Sequence, residues 1–169
     1  MTEDSRLRGI TTLETLVVAA GRDHRPGAPL NRPLVPASNF LHGADRAYSR
    51  DDGTPTWEAL EDVVGALEGG RALAFASGMA AVAAVFDQLR AGALVVLPDD
   101  CYQGVVGLAA RGEAKGIWRV RRLPTEDTAA WMEASAEADL LWVESPSNPL
   151  LKVADLKAIG AAGRKPGSL

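Results

Sequence analysis

With 169 residues, 47% of them hydrophobic and 24% charged, the chain has the apolar content for one ordinary globular core. Its formal charge of -4 comes from acids and bases mixed along the sequence, so there is no basic stripe for nucleic acid. No apolar run is long enough for a bilayer. A single cysteine, Cys101, excludes an internal disulfide, and the polar start of the chain has no signal-peptide core. Both features point to a reducing, cytoplasmic setting.

Residues 1–53 read as an N-terminal arm. Pro26, Pro29, Pro33 and Pro36 fall within one short span, and each fixes φ and removes a backbone donor. Only Thr12 to Ala20 has the pattern of a short helix. An arm of this length without its own core is expected to lie on a neighbouring subunit.

Residues 54–169 alternate between helical and strand patterns. Thr54 can cap a helix with Pro55 at its first position, and Trp57, Leu60, Val63, Val64 and Leu67 recur at helical spacing. Gly69-Gly70 closes that helix. Arg71 to Ala76 reads as a short apolar strand, and Ser77 starts a helix with Met79, Val82, Ala83, Phe86 and Leu89 on one face. A buried-type strand over Ala93–Leu97 follows, then a helix over Gln103–Arg111 and a strand over Ile117–Leu123. Thr125 is the expected cap of the next helix, with Glu126 and Asp127 in its first turn. Asp139–Val143 is a further strand and Val153–Ala162 the last helix. The fold class is therefore α/β, a mainly parallel sheet with helices on both faces. After Gly163 the series calls for another strand, so the chain is read as the first, incomplete part of this domain.

Chemistry in such sheets gathers at the carboxyl ends of strands. Ser77-Gly78-Met79 opens a helix there, and its free N–H groups and dipole suit an anion, although serine and glycine also serve as plain caps. Tyr48 and Arg50 stand two residues apart; in an extended segment both would reach one phosphate, or they are a packing tyrosine beside a solvated arginine. Tyr102 follows a strand and offers a ring to stack on a flat ligand, or simply packs. Glu144-Ser145-Pro146-Ser147-Asn148-Pro149 is a rigid loop that displays the Asn148 amide, with an ordinary turn as the alternative. Cys101 has no histidine near it in sequence and reads as a core residue. No P-loop, dinucleotide fingerprint, H-E-x-x-H or paired cysteines occur, and no metal site is expected. His24 and His42 both fall in the arm.

Taken together, Tyr48-Ser49-Arg50, Thr54-Pro55-Thr56-Trp57-Glu58-Ala59-Leu60-Glu61, Leu67-Glu68-Gly69-Gly70, Ser77-Gly78-Met79-Ala80-Ala81, Tyr102 and the Asn148 loop resemble the transsulfuration family of pyridoxal-phosphate enzymes. That family contains cystathionine γ-synthase, cystathionine γ- and β-lyases, methionine γ-lyase and homoserine sulfhydrylases. The resemblance runs from about Thr12 to Lys165. It implies a fold-type I transferase domain, a cytoplasmic homo-oligomer (a dimer of dimers) and an amino-acid substrate, sulfur-containing or O-acylated, that undergoes elimination or replacement. It further implies a cofactor set of Tyr48, Arg50, Ser77, Gly78, Met79, Tyr102 and Asn148. Gly78 and Met79 would face the cofactor phosphate, Tyr48 and Arg50 a neighbouring subunit's phosphate, Tyr102 the pyridine ring and Asn148 the 3′-oxygen. Thr54 stands where many members have asparagine. The Schiff-base lysine, the aspartate at the pyridine nitrogen and the substrate-carboxylate arginine are expected beyond Leu169. On this reading the chain alone is inactive. Two alternatives remain open: a truncated binding or oligomerisation module, and a generic α/β domain for another phosphate ligand.

Overall fold

The structure is a computed structural model and describes residues 12–23 and 25–169. It divides into two compact units, Met1–Phe75 and Ala76–Leu169.

In the first unit, α1 spans Leu13–Ala19, α2 is the single turn Ser49–Asp52, and α3 spans Pro55–Glu68. Thr12 caps α1 by accepting from the Thr15 N–H at 3.3 Å. From Gly21 to Ala47 the described backbone has no helix and only an isolated antiparallel bridge, Asn39 to Tyr48, as the prolines require. Pro55 opens α3, and Gly69, left-handed at φ 69°, ends it. Thr54 does not cap with its hydroxyl; it is buried, and its carbonyl accepts the Glu58 N–H at 3.1 Å. Nor is the apolar stripe of α3 fully covered. Ala59 and Gly65 are buried while Leu60 and Val64 are exposed.

The expected strand over 71–76 does not form. A strand exists only through hydrogen bonds to a neighbour, and no described segment pairs with this one. Instead the Ala74 N–H donates to the Glu61 carboxylate at 2.7 Å, and Leu73 and Phe75 stay exposed.

The second unit is built on three parallel strands in the order β2-β1-β3: β1 Ala93–Pro98, β2 Trp118–Leu123 and β3 Leu140–Leu141. Val95 aligns with Val120 on one side and Leu140 on the other. All six residues of β1 are buried, the signature of a central strand covered on both faces. Alternation sends Val95 and Leu97 to one face, where α4 (Gly78–Phe86) and α5 (Gln103–Ala114) bring Phe86, Val105 and Ala109. Leu94 and Val96 point the other way, against Trp131 and Ala134 of α6 (Thr128–Ser135) and Ile159 of α7 (Leu156–Ala161). The sheet thus has helices on both faces. On α4, Val82, Val85 and Phe86 pack inward, as does Leu89 just past its end, while Ala83 is exposed. The outer strand β2 carries Arg119, Arg121 and Arg122, with Arg121 paired to Glu137. Beside β3, the Leu169 N–H donates to the Asp139 carbonyl at 2.9 Å and its carbonyl accepts from the Leu141 N–H at 3.1 Å, the two bonds of a parallel ladder. No helix among the described residues is long and apolar enough to cross a membrane.

Several boundaries differ from expectation, and β3 pairs only over Leu140–Leu141 where a strand over Asp139–Val143 is expected. α5 runs on to Ala114, and α7 begins only at Leu156 because Asp155 caps it, accepting from the Ala158 N–H at 2.9 Å. α6 starts at Thr128 with Asp127 as cap, not Thr125. Thr125 is buried, and its hydroxyl and N–H both donate to the Asp99 carboxylate, at 3.2 and 3.1 Å. A charged acceptor outcompetes the helix end for that hydroxyl.

Asp139 fastens the amino end of the sheet. It accepts from Lys165 at 2.7 Å, the Leu94 N–H at 2.8 Å and Arg90 at 2.9 Å. The Lys165 bond leads, with the Leu94 N–H next, in holding its carboxyl well below the usual carboxylate range. A depressed carboxyl stabilises the fold fully above its unfolded pKa, about 3.9, and that stability is lost progressively as pH falls from there through the folded pKa. Asp139→Asn is expected to cost roughly 1.5 kcal/mol at neutral pH. It should also flatten the acid limb, so that the gap between the urea midpoints of mutant and wild type narrows as pH falls below about 4 and closes only below the folded pKa. Parallel curves from pH 7 to 3 would refute this.

Candidate functional site

The order β2-β1-β3 reverses direction at β1, so a crevice opens at the carboxyl ends of β1 and β3. A cleft of about 430 Å³ lies there, lined by Ser77, Gly78, Met79 and Val82 of the α4 region, Tyr102 and Val105 after β1, and Trp142 and Glu144 after β3. Its size falls in the small-ligand range of about 300–1,000 Å³, and apolar side walls with few polar groups are usual there.

Each wall has a local cause. Ser77 is extended and caps α4, its hydroxyl accepting from the Ala80 N–H at 3.1 Å. The Gly78 and Met79 N–H groups have no partner among the described residues and sit at the positive end of the helix dipole. A Cβ on Gly78 would meet no atom within 4 Å, so no neighbouring side chain fills that space. Tyr102 precedes α5 and is half exposed. Its N–H donates to the Glu144 carboxylate at 3.0 Å. Below it, a Cβ on Gly104 would fall 2.7 Å from the Tyr102 ring and 2.6 Å from the Met79 sulfur. Glycine at 104 is what lets ring and thioether lie side by side. Trp142 follows β3, its N–H bonded to the Val96 carbonyl at 3.0 Å and its ring 6.0 Å from Phe86.

Ser77, Gly78, Met79 and Tyr102 are therefore brought together in one cleft. Asn148 is not among the lining residues; it is exposed, on the loop that continues from Glu144. Tyr48 and Arg50 belong to the first unit. Their geometry differs from the expected i, i+2 arrangement, because Ser49–Asp52 turns into a helix whose cap is Tyr48. The Asp52 carboxylate drives that turn by accepting from the Ala47 and Tyr48 N–H groups. The Arg50 guanidinium still comes to Tyr48, lying 4.8 Å from its ring centroid.

Sequence reasoning gave no role to Trp142, Glu144 or Gly104. Position after β3 could have flagged the first two; nothing local marks Gly104. Cys101 is buried, and burial first, with Glu144 beside it, pushes its thiol up to about 12. It stays protonated near neutral pH and is no nucleophile. Among the described residues no group of three His, Cys, Asp or Glu could hold a metal ion. None of Lys115, Lys152, Lys157 and Lys165 lines the cleft; Lys152 and Lys165 are held by Asp99 at 3.2 Å and Asp139 at 2.7 Å.

Known proteins resemble this chain in sequence and in fold. A Streptomyces coelicolor protein provisionally named cystathionine gamma-lyase is 46% identical over 155 residues, 86% of this chain and 38% of that protein. Cystathionine gamma-synthase of Mycobacterium leprae is 37% identical over 98% of this chain and 45% of its own length. The crystal structure of metB from Corynebacterium glutamicum superimposes with TM-score 0.76 at 31% identity, covering 86% of this chain and 40% of that one. That of cystathionine gamma-lyase from Lactobacillus plantarum, complexed with L-serine, gives 0.74 at 33% identity, with 88% and 40% covered. The chain thus spans less than half the length of these relatives. The profile of the Cys/Met metabolism PLP-dependent enzymes matches residues 14–169, and the chain belongs to that transsulfuration family.

Proposed function

We propose that this chain supplies the phosphate and ring cradle of an enzyme that performs elimination or replacement on sulfur-containing or O-acylated amino acids. The observation that carries the reading is the single cleft in which an unpaired helix N-terminus faces a half-exposed tyrosine ring. The residues present fit pyridoxal phosphate. Two free N–H groups at Gly78 and Met79, with open space where a side chain would stand, suit a phosphate dianion. The Tyr102 ring suits a flat pyridine, and Val82, Val105 and Trp142 keep water from its edges. When bound, that cofactor draws electrons from the bonds at the substrate's α carbon. This chain's own part is to bind and orient: α4 anchors the anion and Tyr102 fixes the ring plane. Asn148 would donate its exposed amide to the ring oxygen.

Tyr48 and Arg50 are proposed to serve the phosphate in a neighbouring subunit of a homo-oligomer. Arg50 is exposed and has no carboxylate partner among the described residues, which supports the reading. Because no lysine lines the cleft, the chain alone is proposed to be inactive. A non-catalytic module for binding or oligomerisation is the second reading, favoured by the same fact.

Titration with pyridoxal phosphate, followed by quenching of tryptophan fluorescence, tests the cradle. Saturable binding is expected, and Tyr102→Ala should weaken it up to about tenfold, as loss of an aromatic stack implies. Borohydride after loading should label no single lysine stoichiometrically. Equal affinity in wild type and Tyr102→Ala would refute the ring's role, and one stoichiometrically labelled lysine would refute inactivity of the chain alone.

A further inference from the structure

The carboxyl ends of β1 and β3 are joined by two crossed carboxylates. Glu144, after β3, accepts the Tyr102 N–H at 3.0 Å on the segment after β1. Asp100, after β1, reaches the other way: its Oδ2 accepts from the Ser147 hydroxyl and from the Leu150 N–H at 2.9 Å, on the loop after β3. Asp100 and Ser147 are both buried, at 8% and 1% exposure. The Ser147 hydroxyl accepts in turn from the Lys152 N–H at 2.9 Å, and the Ser147 N–H donates to the Lys152 carbonyl at 2.8 Å. Asp99 holds the Lys152 ammonium at 3.2 Å. The loop that carries Asn148 is therefore fastened from inside at Ser147, Leu150 and Lys152, while Asn148 itself stays exposed.

This bracing exceeds what a surface loop needs. Loops of this length usually satisfy their polar groups with water, whereas here a buried carboxylate takes two donors from it. Charge-assisted bonds are short and directional, so they fix distance as well as adding stability. The two segments they join carry the stacking ring and the exposed amide. A ligand held between a ring and an amide is sensitive to their separation, and supporting hydrogen bonds set it.

We propose that Asp100 is a positioning residue: by tying the Asn148 loop to the segment that bears Tyr102, it sets the width of the slot that receives the cofactor's ring. The inference rests on the cradle reading above. Asp100 does not line the cleft and acts through Ser147 and Leu150. The phosphate end of the cleft is built on α4, which these bonds do not touch, so ring and phosphate should separate in a binding experiment.

The test compares pyridoxal phosphate and inorganic phosphate as ligands for wild type, Asp100→Asn, Ser147→Ala and Asp139→Asn, with inorganic phosphate measured by its competition. Asp100→Asn keeps the shape of the side chain and loses its charge. Ser147→Ala is the second variant, milder for folding. Asp139→Asn loosens the opposite end of the sheet and controls for stability. The expected result is a loss of about tenfold in pyridoxal phosphate affinity for Asp100→Asn, a smaller loss for Ser147→Ala, and none for Asp139→Asn. Inorganic phosphate affinity should be unchanged throughout. If wild type binds the cofactor and both loop variants bind it equally well, the positioning role is wrong. Equal losses for both ligands, or a matching loss in Asp139→Asn, reduce Asp100 to a structural part and also overturn it. Failure of wild type to bind either ligand overturns the cradle reading instead, and the present inference with it.

Discussion

Replacing Trp131 by alanine is expected to lower the unfolding free energy by about 3–5 kcal/mol. The side chain is fully buried on α6, packed against the Leu94 and Val96 face of the sheet. Its indole N–H donates to the Pro124 carbonyl at 2.9 Å. Truncation therefore opens a large cavity and strips a partly buried carbonyl of its donor. Domains of this size are stable by only about 5–15 kcal/mol, so the loss is at least about a fifth of the total. Trp131→Phe separates the two contributions. It retains most of the ring's volume and should cost only about 1–2 kcal/mol, the hydrogen-bond part. Urea unfolding followed by circular dichroism reads both. A Trp131→Ala loss below about 1.5 kcal/mol would mean that the α6 face is not packed as described.

Gly112→Ala should also be damaging, to a smaller degree and for the opposite reason. Where β2 begins, the Trp118 indole lies flat on α5, and a Cβ at position 112 would sit 2.0 Å from Trp118 Cζ2 and 2.1 Å from Cε2. The ring cannot yield cheaply. Its N–H donates to the Ala109 carbonyl at 2.9 Å, and the Trp118 and Phe86 rings pack T-shaped with centroids 5.4 Å apart. Overpacking of about 3 kcal/mol is offset by about 1 kcal/mol of helix propensity, leaving a net loss of about 2 kcal/mol. A double-mutant cycle gives the sharper check. With Trp118→Leu already in place, adding Gly112→Ala should cost nothing or stabilise, because the clash has gone. Additive losses would show that residue 112 and the indole do not touch.

The parts of the fold that local chemistry controls are legible in the sequence. An unbroken apolar run makes β1 a central strand, Ser77 caps α4, and Pro55 and Gly69 bracket α3. What fails is what depends on distant partners. Arg71 to Ala76 has strand composition, yet composition cannot supply a neighbour to pair with. Thr125 looks like a cap until Asp99, 26 residues earlier, takes its hydroxyl. The Tyr48–Arg50 spacing was read for an extended chain, whereas the Asp52 carboxylate curls it into a turn. At the site, Ser77, Gly78, Met79 and Tyr102 are visible because a helix cap and the turn after an apolar strand mark themselves in sequence. Glu144 and Asp100 are not, since their partners lie 42 to 50 residues away.

The outer position of β2 has a consequence for how copies of this protein meet one another. An open parallel edge presents unpaired N–H and C=O groups that can template the addition of a foreign strand. Here that edge is carried by a strand with three arginines in four positions, Arg119, Arg121 and Arg122 flanking Val120. Arg121 is paired to Glu137 and Arg122 reaches back to the Pro98 and Asp99 carbonyls, so exposed Arg119 is the charge that a second β2 edge would meet. The Val120 N–H is itself taken by the Glu113 carboxylate at 2.8 Å, so a charged side chain and an occupied donor both blunt this edge against strand addition.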